Sequence, residues 1–141
     1  MFKKSNKEPQ LDAFASVPMM LDSPAYKQYS DKESWHNQFH HQVVMRLDET
    51  IFSILYNNTT GAPNSPIRTL VGMMILKESF VWSDSQLFEQ CRFNLLVRGA
   101  LGLFNMNDPL PVESTYYLLR KRLYEHQTQT GEDLMGKAFA Q

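Results

Sequence analysis

The sequence predicts an all-α fold, a compact multi-helix domain with a helix-turn-helix-like unit near its C-terminal half. Three observations carry that reading. Apolar residues recur at helical spacing, as in Trp35, Phe39, Val43 and Leu47. Helix starts are written into the chain, most plainly at Ser83-Asp84-Ser85-Gln86, where a Ser followed three residues later by Gln is a capping box. No run shows the period-two alternation of a half-buried strand. With 141 residues and 43% hydrophobic content, the chain is long enough to bury roughly two-thirds of its unfolded surface around one core.

Residues 1–30 read as an arm, partly packed. Pro9, Pro18 and Pro24 interrupt any long helix there, while Leu11, Phe14, Val17 and Met19-Met20-Leu21 are costly to leave exposed together. Residues 31–127 form the helical domain proper. Its first stripe, Trp35 to Leu47, is followed by Ile51, Phe52 and Leu55 on a different face, so a break near Leu47–Thr50 is expected. Residues 57–64 are a loop dense in turn formers. Ser65 and Pro66 suit the start of a helix running to about Trp82, with Ile67, Leu70, Val71, Met74 and Val81 on one side. The helix after the capping box turns Leu87, Phe88 and Cys91 inward. A short apolar helix, Leu95–Leu101, ends near Gly102. A second loop spans Asn105–Pro111, and Ser114 caps the last strong helix, Thr115 to about Gln127. Residues 128–141 form a C-terminal helix or linker, with an apolar stripe of Leu134, Met135, Ala138 and Phe139 that packs back, contacts a second copy or leads onward.

Composition excludes several classes. Cys91 is the single cysteine, so no internal disulfide forms, and within Gln90-Cys91-Arg92 it reads as a small core residue. The basic start, Met1 to Glu8, leads into no apolar stretch of signal length, and nothing approaches the roughly 20 apolar residues of a membrane span. The expected location is the cytoplasm, without a membrane partner. Fourteen Lys and Arg against fifteen Asp and Glu give a net charge of −1 and a pI of about 6.4. DNA-binding domains usually carry a basic balance, so a nucleic-acid role has to rest on local patches.

One order of features is distinctive. Asn64-Ser65-Pro66-Ile67-Arg68-Thr69-Leu70 precedes Met74-Ile75-Leu76-Lys77-Glu78, then Trp82-Ser83-Asp84-Ser85-Gln86-Leu87, then Arg98-Gly99-Ala100-Leu101-Gly102-Leu103, and finally Ser114-Thr115 leading to Leu119-Arg120-Lys121-Arg122-Leu123. Over roughly residues 35–126 this resembles the N-terminal domain of bacterial insertion-sequence transposases whose catalytic domain is of the DDE, RNase H-like type. The resemblance implies a helical region that precedes the catalytic domain and engages transposon-end DNA. Three metal-binding carboxylates belong to the mixed sheet that follows in that family. This chain stops at Gln141, before such a sheet, so the expectation is a domain without catalysis, either cut out or from a truncated reading frame.

The last helix is the best candidate for reading DNA. Tyr116, Leu119 and Leu123 share a core-facing side, while Tyr117, Lys121 and Tyr124 share an adjacent one with Arg120 at its edge. Ser114 and Thr115 stand at the N-terminus, where hydroxyls and free N–H groups can meet a phosphate, as a recognition helix presents itself. The competing reading is structural: Arg120-Lys121-Arg122 also complements the helix dipole, and tyrosines at helical spacing usually pack. Glu113 and Glu125 flank the patch, leaving three cations against two acids over residues 111–127. Lys3, Lys4 and Lys7 form a second small basic cluster, read as a solvated tail.

Two further groups invite chemistry. Glu78 falls in the apolar stripe of its helix, so the expectation is an ion pair with Arg92, Arg98 or Arg122, or else an early end to the stripe. His36 and His40 share a helix face beside His41, but no H-E-x-x-H glutamate or third ligand accompanies them, so no metal is expected. No nucleophile–base pair, phosphate loop or acid cluster can be assembled; no cofactor and no small-molecule substrate are implied. The functional expectation is a transposase DNA-binding module; the alternative is a protein–protein module that assembles or dimerises transposase subunits, for which eight methionines would provide adaptable contacts.

Overall fold

The computed structural model describes residue 11, residues 15–56 and residues 66–139. The expectations for Lys3, Lys4, Lys7, Ser65 and the 57–64 loop lie outside the described residues. Proline sets the first two helices rather than merely interrupting them: α1 (Val17–Met20) and α2 (Ser23–Ser30) each carry a Pro in the first turn, where its missing N–H costs nothing. The Asp22 carboxylate caps α2 by accepting from Ala25 N at 3.0 Å.

Helix α3 (Trp35–Phe39) runs on as a π turn over His40–Val44, closed by Met45 N donating to His40 O at 2.9 Å. A π turn inserts one residue into the helical register, and this shifts the expected stripe. Val44 and Leu47 are buried while Val43 is half-buried; His36 is buried and Trp35 is exposed. The chain then breaks at residues 45–48, close to the expected point, and resumes as a 3₁₀ helix, Glu49–Leu55. Asp48 caps it by accepting from Thr50 N at 3.1 Å, and Phe52 enters the core.

Helix α4 (Ile67–Phe80) is the centre of the domain. Its first two turns, Ile67 to Met73, are buried on every side, so a one-sided stripe describes it poorly. Met73 and Leu76 are buried; Met74 is only half-buried and Val81 stands 86% exposed beyond the helix end. Gly72 lets α4 approach its neighbours: a Cβ there would lie 2.8 Å from Leu101 Cδ2 and 3.3 Å from Val44 Cγ2. Val81 takes the left-handed C-cap conformation at φ 57°, an uncommon position for a β-branched residue.

Ser83 then starts α5 (Asp84–Phe93) with both halves of the expected capping box: Gln86 N donates to Ser83 Oγ at 3.1 Å and Ser83 N donates to Gln86 Oε1 at 2.8 Å. Leu87, Phe88 and Cys91 point into the core as expected. Asn94 caps α6 (Leu95–Ala100), its Oδ1 accepting from Leu96 N at 3.0 Å. Gly102, at φ 82°, ends the segment.

After residues 101–112 comes α7 (Glu113–Thr130), ended by Gly131 at φ 74°. Its N-cap is Val112, without a side-chain hydrogen bond, so Ser114 lies inside the helix and does not cap it. The connection from α6 is much longer than the three or four residues of a helix-turn-helix joint, so α6 and α7 do not make that unit. Helix α8 (Leu134–Phe139) folds back against the 3₁₀ helix, burying Leu134 and Ala138, with Asp48 N donating to Ala138 O at 3.3 Å. Helices and turns therefore make up this all-α domain; among the described residues the only extended pairing is an isolated antiparallel bridge between Ser16 and Asn105. No helix there is long and apolar enough to cross a membrane.

Candidate nucleic-acid interface

Helix α7 turns Tyr116 and Leu119 into the core, with Leu123 half-buried beside them. Its registry against α5 is set by three contacts: Asp84 with Arg120, Phe88 with Tyr116 and Arg92 with Glu113. The first ion pair is 3.0 Å, the ring pair is edge-on at 5.5 Å, and the last ion pair is 3.3 Å. Their order shows that α7 runs antiparallel to α5.

This arrangement divides the expected DNA-binding residues into two groups. Ser114, Tyr117, Lys121 and Tyr124 form a stripe at helical spacing that faces solvent: Tyr117 is 41% exposed, Tyr124 72%, and the Lys121 side chain 70%. Lys121 Nζ lies 3.9 Å from Glu125, an exposed pair too loose to hold it. Arg120 and Arg122 flank this stripe but are engaged. Arg120 is paired with Asp84 and lies over the Tyr116 and Tyr117 rings at 5.5 and 5.9 Å; Arg122 lies 5.0 Å over the Tyr56 ring. Thr115 is half-buried. The Tyr117 phenol is pushed above its ordinary value by desolvation, then by the Asp84 and Glu113 carboxylates and by a hydrogen bond to Asp84, so it stays protonated and shares Asp84 with Arg120.

The expected Glu78 ion pair is not formed with Arg92 or Arg98. The apolar stripe ends early, Glu78 is exposed, Arg92 pairs with Glu113, and Arg98 serves a different purpose. Buried at the base of the 101–112 connection, the Arg98 guanidinium donates to the carbonyls of Cys91 at 3.2 Å, Asn105 at 3.0 Å and Asp108 at 3.1 Å. It holds the loop that leads into α7.

The buried carboxylate–arginine pair lies elsewhere, between Glu49 and Arg68 at 2.7 Å. Arg68 also donates to Val44 O at 2.5 Å. One side chain of α4 thus caps the π turn and anchors the start of the 3₁₀ helix, fixing the bend between them. Periodicity gave no sign of it, although Arg68 in the middle of an apolar run was itself a signal that a buried partner was needed.

The histidines diverge in setting. His36 is buried and donates from Nε2 to Tyr29 O at 2.7 Å; His40 is half-buried, its pKa lowered by desolvation and by His41; His41 is exposed. Among the described residues no three His, Cys, Asp or Glu side chains gather as a metal site. Cys91 is a fully buried thiol pushed up to about 12 by desolvation.

Fold and surface together define a helical module in which one long helix, braced by ion pairs and an arginine-clamped loop, presents a Tyr/Lys stripe to solvent. Residues 27–122 match the family model described as a transposase domain (DUF772), and the chain belongs to that family. No curated protein and no solved structure matches it.

Proposed function

We propose that this chain is the non-catalytic, DNA-engaging domain of a transposase, with strand transfer left to a catalytic domain of the DDE type. Helix α7 meets transposon-end DNA through Ser114, Tyr117, Lys121 and Tyr124. The observation that supports this most is the stripe itself: four side chains able to donate to phosphates or base edges stand along one exposed face of an 18-residue helix whose opposite face is locked in the core. Lys121 supplies the charge, and Arg120 and Arg122 reach the DNA from the flanks by exchanging Asp84 and Tyr56 for phosphate. The modest basic balance implies weak, strongly salt-dependent binding.

The test is a binding titration of transposon-end and scrambled duplexes over a range of salt. The expected result is tighter binding to the end sequence, with Lys121→Ala lowering the slope of log K against log salt by about 0.9 for one lost phosphate contact. Equal slopes for wild type and variant contradict the reading.

A second reading, subunit assembly, is favoured by a different surface. Trp35 and Phe80, both exposed, meet edge-on at 5.4 Å, and Phe80 stacks on Trp82 at 4.8 Å. A stable dimer at micromolar concentration, lost on Phe80→Ala, together with no DNA binding, would support assembly instead.

A further inference from the structure

A cleft of about 480 Å³ between the end of α2 and the face of α3 and its π turn is lined by Ser30, Lys32, Asn37, Gln38, His40 and His41. Its volume lies in the range of small-ligand sites, yet every lining side chain is polar. Asn37, His40 and His41 fall at the i, i+3 and i+4 spacing that makes helix neighbours, and Lys32 comes from the link between α2 and α3. Backbone carbonyls hold three of the six. Asn37 Nδ2 donates to Tyr29 O at 2.9 Å and Asp31 O at 2.8 Å, Gln38 Nε2 to Lys32 O at 2.6 Å, and Ser30 Oγ to Tyr26 O at 2.7 Å. What these three keep for a ligand is chiefly their oxygen acceptors.

The other three are basic. The Lys32 ammonium and the His40 and His41 rings have no hydrogen-bond or ion-pair partner among the described residues. Asp31 and Glu33 flank Lys32 in sequence but do not line the cleft, and the Asp31 carboxylate accepts from Glu33 N at 3.0 Å. His40 has its pKa lowered by desolvation, then by His41 and by Arg68, and no carboxylate is among these influences. Its ring is set in place: it meets Phe104 edge-on at 5.2 Å, and a Cβ on Gly102 would lie 2.9 Å from its Nε2. The two histidines open the π turn His40–Val44, whose Val44 carbonyl Arg68 caps from the core. π turns inside helices are frequent at functional sites.

We propose that this cleft binds a phosphoester of nucleotide size: Lys32, His40 and His41 hold the phosphate, while Ser30, Asn37 and Gln38 accept from hydroxyl or amino groups of the sugar and base. A phosphate here gains a point charge from Lys32 and N–H donors from two imidazoles, and meets no carboxylate among the lining groups. Phosphate alone would leave most of the cleft empty, so the ligand includes what the phosphate is attached to. Two sources carry this chemistry, a free nucleotide and a nucleotide within a DNA strand. The inference does not depend on what α7 binds.

Adding a deoxynucleoside monophosphate to the whole chain, followed by amide and histidine-ring resonances, tests it. Saturable shifts are expected at Lys32, Asn37, His40 and His41, and none with the same nucleoside lacking its phosphate. Lys32→Ala and His41→Ala are each expected to weaken binding about fivefold, with unmoved α4 resonances showing that the fold is kept. Lys27→Ala removes an exposed cation of α2 outside the cleft and is expected to leave affinity unchanged. Displacement of the nucleotide by transposon-end duplex assigns the phosphate to a DNA strand, and its persistence assigns it to a free nucleotide; both support the site. No saturable shift, equal binding of the nucleoside, Lys32 and His41 variants that bind like wild type, or an equal loss from Lys27→Ala would overturn the proposal.

Discussion

Asp84 Oδ1 lies 3.0 Å from the Arg120 guanidinium and 3.7 Å from Lys77 Nζ, so one carboxylate at the start of α5 gathers a cation from α4 and another from α7. The same acid raises the Tyr117 phenol pKa. It is therefore both a brace for α7 and the main negative charge beside the stripe proposed to meet DNA.

Asp84→Asn separates those two roles. Loss of two partly exposed ion pairs and of an acid in the first turn of α5 is expected to cost about 1 kcal/mol, read by urea denaturation. Affinity for DNA is expected to rise, with a steeper salt slope, because Arg120 is released. Unchanged or weaker binding would show that Arg120 does not approach the phosphates.

The Glu49–Arg68 pair is buried on both sides, so removing Arg68 breaks a buried ion pair. Arg68→Ala is expected to cost about 3–5 kcal/mol and also to uncap Val44 O. Replacing both residues with apolar ones of similar volume, as in Glu49→Leu with Arg68→Met, is expected to recover much of that loss. A double variant no better than Arg68→Ala would place the cost in the lost Val44 cap rather than in the broken ion pair.

Helix ends give a paired comparison. Ser83→Ala removes a working cap and is expected to cost about 1 kcal/mol; Ser114→Ala, inside the first turn of α7, is expected to leave stability unchanged. Val81→Gly relieves a left-handed β-branched residue that buries almost nothing, and is expected to stabilise by about 1 kcal/mol. Thermal melts of the three variants check the order.

Alkaline pH loosens the fold in a predictable window. Burial pushes Cys91 from 9.0 to about 12, and Tyr29 and Tyr116 from 10.0 to about 12. Between those values the unfolded chain has released protons that the folded chain retains, so unfolding stability falls as pH rises. Stability is expected to be fully present below about pH 9 and to decline steadily to about pH 12. Cys91 should resist alkylation at pH 8 until the chain is denatured.

Local signatures made much of the fold legible. The Ser83–Gln86 box, the inward set Leu87, Phe88 and Cys91, the Asn105–Pro111 loop and the Tyr116–Leu119–Leu123 side of α7 all follow from chemistry within one or two turns of chain. What escaped depends on distant partners or on irregular backbone. The π turn moved burial from Val43 to Val44 without altering composition. Arg98 donates to main-chain carbonyls, which no residue pattern announces. Arg68 finds Glu49 nineteen positions away across a bend. The basic triplet of α7 was legible as charge, but its availability was not, since Asp84 and Tyr56 come from other elements.

The most direct measurement is a titration of isotopically labelled chain with transposon-end duplex, following backbone and tyrosine ring resonances. The account predicts saturable, salt-sensitive shifts along Ser114, Tyr117, Lys121 and Tyr124, with little change around Trp35, Phe80 and Trp82. Shifts confined to that aromatic cluster, or no shifts at low salt, would contradict it.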